Sequence, residues 1–197
     1  MTSHPNELAL ELRFANGSSA ESYETDEQRV REALHLLAAP QLFAQPHLLL
    51  ASQHCASMVP CKGIDMILAR TTAPVPLKFP LNLPAGQFDI VEQPEPRPDD
   101  KSAPIDDQDG RQLHHSSQVE ILTCGGWTVT LNALATFHGI VQDERHFFSH
   151  LPTMPTIPFR LKNGGFGLIN TANIMRASIW PKPETLPGIA LPLTLRR

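Results

Sequence analysis

The sequence predicts a mainly β protein with short helices, in the α+β class, in which one small unit occurs twice. Short stretches of alternating apolar and polar residues are separated by glycine turns, which is typical of antiparallel strands. Similar segments recur in the same order roughly 110 residues apart. We therefore expect two similar small, bent antiparallel sheets or barrels, each with one helix, plus proline-rich extended arms.

The composition is that of a folded, water-soluble chain. Hydrophobic residues make up 41% and charged residues 18%, which is enough apolar material for a core. The formal net charge of −4 lacks the basic excess typical of nucleic-acid binders. No apolar run reaches the roughly 18 residues of a membrane span, and the first residues do not resemble a signal peptide. We expect a cytoplasmic protein without membrane association, whose three cysteines are reduced.

The first predicted domain spans residues 1–86 and opens with a hairpin. Apolar residues alternate with other residues over positions 8–15, and Asn16-Gly17 follows, a pair that suits a tight hairpin turn. Thr25-Asp-Glu-Gln28 has the pattern of a capping box. Apolar residues at helical spacing come after it, which predicts a helix over positions 26–39.

The same domain is predicted to end with closing strands and a proline-rich arm. Positions 47–52, 57–60 and 63–70 have the length and apolar character of strands. The prolines between positions 74 and 84 exclude a central strand there, because each proline removes a donor from the ladder. We predict that this arm and a similar one near the C-terminus contact a protein partner, or a second copy, through Phe79, Leu81, Leu83, Leu191, Leu193 and Leu195.

An acidic, proline-rich linker is predicted over residues 87–117. Pro94-Glu-Pro-Arg-Pro98 is expected to be stiff and extended. The segment after it is rich in aspartate and has almost no apolar residues, which disfavours a packed structure.

The second predicted domain spans residues 118–197. Its first two strands are predicted around the Cys124-Gly-Gly126 turn, and a short helix over positions 143–151. Three further strands are predicted at positions 157–161, 166–171 and 174–180.

The two domains are predicted to be duplicates because similar residues follow one another in the same order. Glu11–Gly17 corresponds to Glu120–Gly126, and Ile64 corresponds to Ile174. A fixed separation of this kind is the mark of repeated units.

The stretch Gly167-Leu-Ile-Asn-Thr-Ala-Asn-Ile-Met-Arg176 resembles the second signature of the Sm-like fold. In that signature a glycine-hydrophobic strand, a polar corner and an isoleucine-bearing last strand follow one another. The resemblance implies tandem small β-barrels and a nucleic-acid or nucleotide-binding regulator. The sequence departs from the family in two places. The predicted helix falls between strands, and Asn170-Thr171 or Pro60-Cys61 stands where RNA-binding members carry Arg-Gly.

His138, His146 and His150 are candidate metal ligands. On a helix, His146 and His150 would share a face, and zinc needs at least a third ligand, which His138 could supply. This arrangement would make the protein a metal-dependent enzyme. The alternative is a solvated helix face.

The turn formed by Lys162, Asn163, Gly164 and Gly165 is a candidate anion-binding site, because its backbone amides could face a phosphate. It lacks the P-loop pattern, and the alternative is ordinary hairpin geometry. His54, Cys55 and Cys61 are candidate metal ligands, and the alternative for the two cysteines is a role as buried apolar thiols. Cys124 is a candidate nucleophile in a tight turn.

These observations favour a non-enzymatic binding, scaffold or regulatory protein that contacts a protein partner through its apolar arms, with no catalytic residues and no cofactor. The alternatives are a nucleic-acid or nucleotide-binding regulator of Sm-like type, and a metal-dependent enzyme that uses the histidine cluster.

Overall fold

The computed structural model describes residues 7–51, 55–83, 86–93, 105–106, 112–138 and 154–180. This part of the chain is mainly β and contains one α-helix, which agrees with the predicted α+β class. The elements are β1 Leu8–Phe14, β2 Ser19–Glu24, α1 Glu27–Leu37, β3 His47–Ala51, β4 Ala56–Pro60, β5 Ile64–Thr71, β6 Leu81–Leu83, β7 Gly86–Glu92, β8 Ile105–Asp106, β9 Gln112–Thr123, β10 Thr128–His138, β11 Thr156–Arg160, β12 Phe166–Asn170 and β13 Ile174–Trp180. We call β1–β5 the first half and β9–β13 the second half.

Eleven strands form one mixed sheet in the order β13-β9-β10-β7-β11-β12-β5-β1-β2, with β6 beside β7 and β8 beside β9. Strands β3 and β4 form a separate two-stranded sheet. The prediction of two separate small sheets or barrels is therefore wrong for the described residues, whose sheet is open. The reason is that β12 of the second half pairs with β5 of the first half and joins the two.

The first half begins as the sequence predicts. Leu8 and Leu12 are buried on one face of β1, and the turn after it contains Asn16 and Gly17, the latter with φ of 81°. Helix α1 follows, with Val30, Leu34 and Leu37 buried on its inner face.

The N-terminus of α1 differs in detail from the predicted capping box. The side chain of Asp26, and not that of Thr25, accepts a hydrogen bond from the backbone amide of Arg29, at 2.9 Å. The helix therefore begins at Glu27, and Leu37 is its last residue.

Both ends of the predicted 87–117 linker are strands. Strand β7 covers Gly86–Glu92, and β9 already begins at Gln112. Within β7, Phe88 and Ile90 are buried and alternate with half-buried residues, which is the pattern of a strand in a sheet. The neighbouring prolines and acidic residues concealed this short alternation in the sequence.

The two halves pair their strands in the same register. Strands β1, β2 and β3 match β9, β10 and β11 after an offset of 109 residues, and β4 and β5 match β12 and β13 after an offset of 110. The corresponding pairs are Leu12–Ala20 and Ile121–Val129, Leu12–Ile67 and Ile121–Ala177, and Leu49–Met58 and Pro158–Leu168.

Backbone hydrogen bonds outside the ladders recur at the same offsets. They close the first hairpin turn, tie that turn to the closing strand, and anchor the 3₁₀ turn before the closing strand. The corresponding donor–acceptor pairs are Phe14–Ser18 and Thr123–Trp127, Gly17–Phe14 and Gly126–Thr123, Ala15–Gly63 and Cys124–Asn173, and Cys61–Pro46 and Thr171–Pro155.

Two hydrophobic cores lie on opposite faces of the β5–β12 pair. Ile67 and Ala69 of β5, with Leu168 of β12, face the first core, which also contains buried residues of α1 and β1. On the opposite face, Met66 and Ile169 belong to the second core, together with residues of β7, β9, β10 and β11. The paired strands are therefore a wall that both cores share.

We expect Gly165→Ala to lower the free energy of unfolding by about 3 kcal/mol, and Gly164→Ala by about 1 kcal/mol. Both glycines have positive φ, 91° and 96° respectively, but only the Cβ at position 165 would lie 2.0 Å from the carbonyl oxygen of Ala69. Urea unfolding of the two variants measures the difference. Equal losses would show that β12 and its turn do not lie against β5 as closely as the structure indicates.

Candidate functional site

We call the contact between β5 of the first half and β12 of the second half the seam. Two asparagines donate hydrogen bonds across it, one at the end of β12 and one in the 3₁₀ turn that follows. The Nδ2 group of buried Asn170 donates to the carbonyl oxygens of Cys61 and Ile64, at 3.1 and 2.9 Å. The Nδ2 group of Asn173 donates to the carbonyls of Lys62 and Ile64, both at 3.0 Å. Each amide thus donates to two backbone carbonyls of the first half, one in the 3₁₀ turn before β5 and the other that of Ile64, which begins β5 and accepts from both asparagines.

A second set of hydrogen bonds joins the hairpin turn after β9 to strands β1 and β5 of the first half. Asp65 is fully buried, and its Oδ2 accepts a hydrogen bond from the backbone amide of Gly125 at 2.7 Å. The indole N–H of Trp127 donates to the carbonyl of Phe14 at 3.0 Å. A Cβ at position 125 would lie 2.2 Å from the Phe14 oxygen, so this approach requires glycine.

A cavity of about 240 Å³ opens beside these hydrogen bonds. Its lining combines apolar side chains with charged and polar ones. The lining residues are Arg13, Met66, Leu68, Glu92, Gln93, Thr128, Val129 and Thr130. It is smaller than the usual range for small-molecule sites, roughly 300–1,000 Å³.

Arg13 connects this cavity to a charged cluster on β1. Its guanidinium lies 5.0 Å from the centre of the Trp127 ring, which is cation–π distance. Its Nε donates to Glu11 at 2.7 Å, and Arg70 donates to the other oxygen of Glu11 at 3.1 Å. Burial acts to raise the pKa of Glu11, but the hydrogen bonds and positive charges of Arg13 and Arg70 outweigh it and leave the pKa below its ordinary value.

The predicted anion-binding turn is an exposed hairpin between β11 and β12. Within it, the backbone amide of Leu161 donates to the carbonyl of Gly165, which is ordinary turn geometry. The amide of Lys162 donates to a carboxylate oxygen of Glu92 at 3.4 Å. An acidic side chain therefore already lies at one amide that an anion would need.

The first proline-rich arm packs partly within the chain. Phe79 is half-buried against the first core and Leu81 against the second. Leu83 lies in β6, opposite Gly86. The C-terminal residues of the predicted contact set, Leu191, Leu193 and Leu195, lie outside the described residues.

Most of the predicted metal site lies outside the described residues, because His146, His150 and the helix predicted to carry them all lie there. His138 is the last residue of β10 and pairs with Gln112. Within the described ranges, no group of three or more His, Cys, Asp or Glu side chains could hold a metal ion.

The three cysteine candidates differ in environment: Cys55 is exposed, and its predicted co-ligand His54 lies outside the described residues. Cys61 is buried, its thiol donates to the carbonyl of Leu42 at 3.7 Å, and burial raises the pKa of that thiol. Cys124 is exposed in the turn between β9 and β10. A buried thiol with a raised pKa is a poor nucleophile, so Cys61 has a packing role.

Strands β4 and β13 carry exposed apolar side chains. Among the described strands, β13 stands at one end of the large sheet, and β4 pairs with β3 alone. Met58 of β4 is 64% exposed and Met175 of β13 is 65% exposed. Exposed apolar residues on strand edges are typical of surfaces that bind another strand.

The seam residues were missed in the sequence, although one of them left a signal. Asp65 interrupts the apolar run Ile64–Ala69, and a carboxylate in such a run has to be paired or hydrogen-bonded. Asn170 and Asn173 gave no comparable signal, because asparagine is common in turns.

Comparison with known protein families, with curated proteins and with solved structures found no match to this chain. None of the helical segments that the structure describes has the length and apolar character of a membrane span.

We expect Asn170→Asp to lower the free energy of unfolding by about 3 kcal/mol at neutral pH, because a carboxylate would replace an amide that donates to two buried carbonyls. Asn163→Asp in the exposed hairpin turn is the matched control and should change stability by less than about 0.5 kcal/mol. Urea unfolding compares the two. A similar small effect at both positions would contradict the role of Asn170.

We expect Glu11→Gln to lower the free energy of unfolding by about 1 kcal/mol at pH 7. The pKa of Glu11 lies below its ordinary value of 4.5 in the folded protein, so its carboxylate stabilises the fold above that pH. This contribution is lost as the pH falls through the folded-state pKa, and the difference between the variant and the parent protein should then disappear. Glu27→Gln on the exposed face of α1 should show little effect at any pH.

Proposed function

We propose that the protein is a non-enzymatic scaffold, built from a duplicated small β module, that binds a protein partner along its open strand edges. The observation that carries this proposal is the exposure of Met58 and Met175 on β4 and β13. Methionine is enriched where proteins contact one another, because its flexible side chain adapts to the partner.

The duplication part of the proposal is supported by the matching registers of the two halves. Three strand pairings and four additional hydrogen bonds recur at offsets of 109 and 110 residues. Independent sequences would have no reason to reproduce a one-residue register shift at the same place. Both the β1–β5 and the β9–β13 ladders contain that shift where the closing strand begins.

The binding part is supported by the hairpin of β3 and β4. Leu49 is 72% exposed and lies directly opposite Met58, so the two side chains share one apolar face. An edge strand offers unpaired backbone groups to an incoming strand, and neighbouring apolar side chains add burial of about 1.5–3 kcal/mol each.

The proline-rich arms keep a supporting role in this proposal. Phe79 and Leu81 use part of their surface on the chain's own cores, which ties the first arm to the sheet. The C-terminal arm, with Leu191, Leu193 and Leu195, remains a proposed contact for the partner.

Photo-crosslinking in cells tests this function. A photoreactive amino acid is placed at Met58 or at Met175, and the protein adducts are identified by mass spectrometry. We expect adducts at both positions because a bound partner strand lies against these side chains.

Tyr23 on β2 is the matched control, since it is also on an edge strand and is 65% exposed. The three positions therefore differ in location and hardly in accessibility. Adducts at Tyr23 as abundant as those at Met58 and Met175, or none at any position, would contradict binding at these edges.

A further inference from the structure

The chain already contains one strand-to-strand interface between its halves, and the correspondence of the halves defines a second pair of strands that could form the same interface. Inside the chain, β12 of the second half pairs with β5 of the first half. At the offset of 110 residues, β4 corresponds to β12, and β13 corresponds to β5. The counterpart of the internal interface would therefore join β4 to β13.

Both counterpart strands have the inner neighbour that the equivalence requires. Strand β13 pairs with β9 as β5 pairs with β1, and β4 pairs with β3 as β12 pairs with β11. On the outer side, β5 and β12 pair with each other, whereas the described residues place no strand beside the outer edges of β13 and β4.

The side chains of β4 can be compared with their counterparts in β12, residue by residue. Ile169 of β12 packs on the core of its own half, and its counterpart Val59 is half-buried on the first core in the same way. Leu168 of β12 packs instead on the core of the other half and is 1% exposed. Its counterpart is Met58, which is 64% exposed. Met58 therefore has the position of a core residue, but the described residues leave it largely exposed.

We propose that the partner is a second copy of this chain, whose β13 pairs antiparallel with β4 in the register of the internal interface. This inference rests on the proposed function and names its partner. The internal pairs Phe166–Ala69, Gly167–Leu68, Leu168–Ile67 and Ile169–Met66 become Ala56–Ile179, Ser57–Ser178, Met58–Ala177 and Val59–Arg176 between copies.

The interface is heterologous, because it joins two different surfaces of the chain. Each added copy leaves one free β4 and one free β13, so assembly continues until a ring closes or a filament forms. Both outcomes place several copies of the sheet side by side, which is a scaffold architecture.

The interface between copies is weaker than the internal one. Pro60 stands at the position of Asn170, and it has no side-chain donor for the carbonyls of the partner copy. Met175 stands at the position of Asp65, which accepts a hydrogen bond from Gly125 in the internal interface. Because these side-chain hydrogen bonds have no counterpart between copies, assembly depends on the backbone ladder and on apolar burial. The copies therefore dissociate when the protein is diluted.

Two variants, each with one added cysteine, test the register. Ser57→Cys and Ser178→Cys are each made in the full chain, in a background with the exposed Cys55 and Cys124 replaced by serine. Directly opposed residues have Cβ atoms close enough for a disulfide. With oxidised glutathione added as the oxidant, we expect the mixture of the two variants to form a disulfide-linked dimer about a hundredfold faster than either variant alone, since docking raises the effective thiol concentration into the millimolar range.

The controls separate this arrangement from other associations. Ser22→Cys on β2 replaces Ser178→Cys in a second mixture and should not accelerate dimer formation. A dimer formed as readily by Ser57→Cys alone would indicate a two-fold symmetric contact and would overturn the heterologous interface.

A non-covalent measurement completes the test. The parent protein should show species larger than its 21.8 kDa monomer that grow with concentration. Met58→Lys should shift them toward the monomer by about tenfold in concentration, because a charge would enter an apolar interface. Tyr23→Lys, equally exposed on β2, should leave the distribution unchanged. A parent protein that stays monomeric at millimolar concentration would refute self-assembly.

The failure of this inference can be distinguished from the failure of the proposed function. If crosslinks at Met58 and Met175 identify a different protein and the purified chain stays monomeric, the binding function stands and self-assembly is wrong. If no protein is crosslinked and the chain is monomeric, both are wrong.

Discussion

The pairing of β5 with β12 is the constraint on which the rest of the structure depends. Both strands are buried on both faces, and their side chains enter the first core on one face and the second core on the other. Neither core can close without them, since each would lose one wall. Large apolar residues such as Phe166 and Met66 each contribute about 1.5–3 kcal/mol by burial. Exposing a few of them would therefore cost more free energy than the usual stability of a domain.

Apolar residues alone cannot set the register of such a pair. A strand with one buried face is held in register because a slip by one residue would expose its apolar side chains. Strands that are apolar on both faces lack that restraint. Asn170 and Asn173 supply it, because their amides meet the carbonyls of Cys61, Lys62 and Ile64 in one alignment only. The polar groups at the seam therefore specify a geometry that the hydrophobic residues stabilise.

Local features of the fold could be predicted from the sequence, and long-range ones could not. The β1–β2 hairpin followed from alternation and Asn16-Gly17, and α1 followed from helical spacing, because both depend on neighbouring residues. A pattern shows which face of a strand is buried but not which strand lies beside it. The β5–β12 pairing was therefore missed, and with it the hydrogen bonds that Asp65 and Asn170 form between the halves. Strand β7 was missed because its alternation is short and lies between proline-rich segments.

The edge strands β2, β4 and β13 of the two sheets differ in a way that bears on association. Strand β2 carries Glu21 and Glu24, and charged residues on an edge discourage a further strand from pairing there. Strand β4 has no charged residue, and the one charge of β13, Arg176, is already paired with Glu120 at 3.0 Å. Two edges that correspond to an internal interface are thus uncharged or neutralised, whereas the edge without such a counterpart is acidic. If copies of the chain are to join through β4 and β13 alone, β2 must not pair with another strand. The acidic residues of β2 meet that requirement.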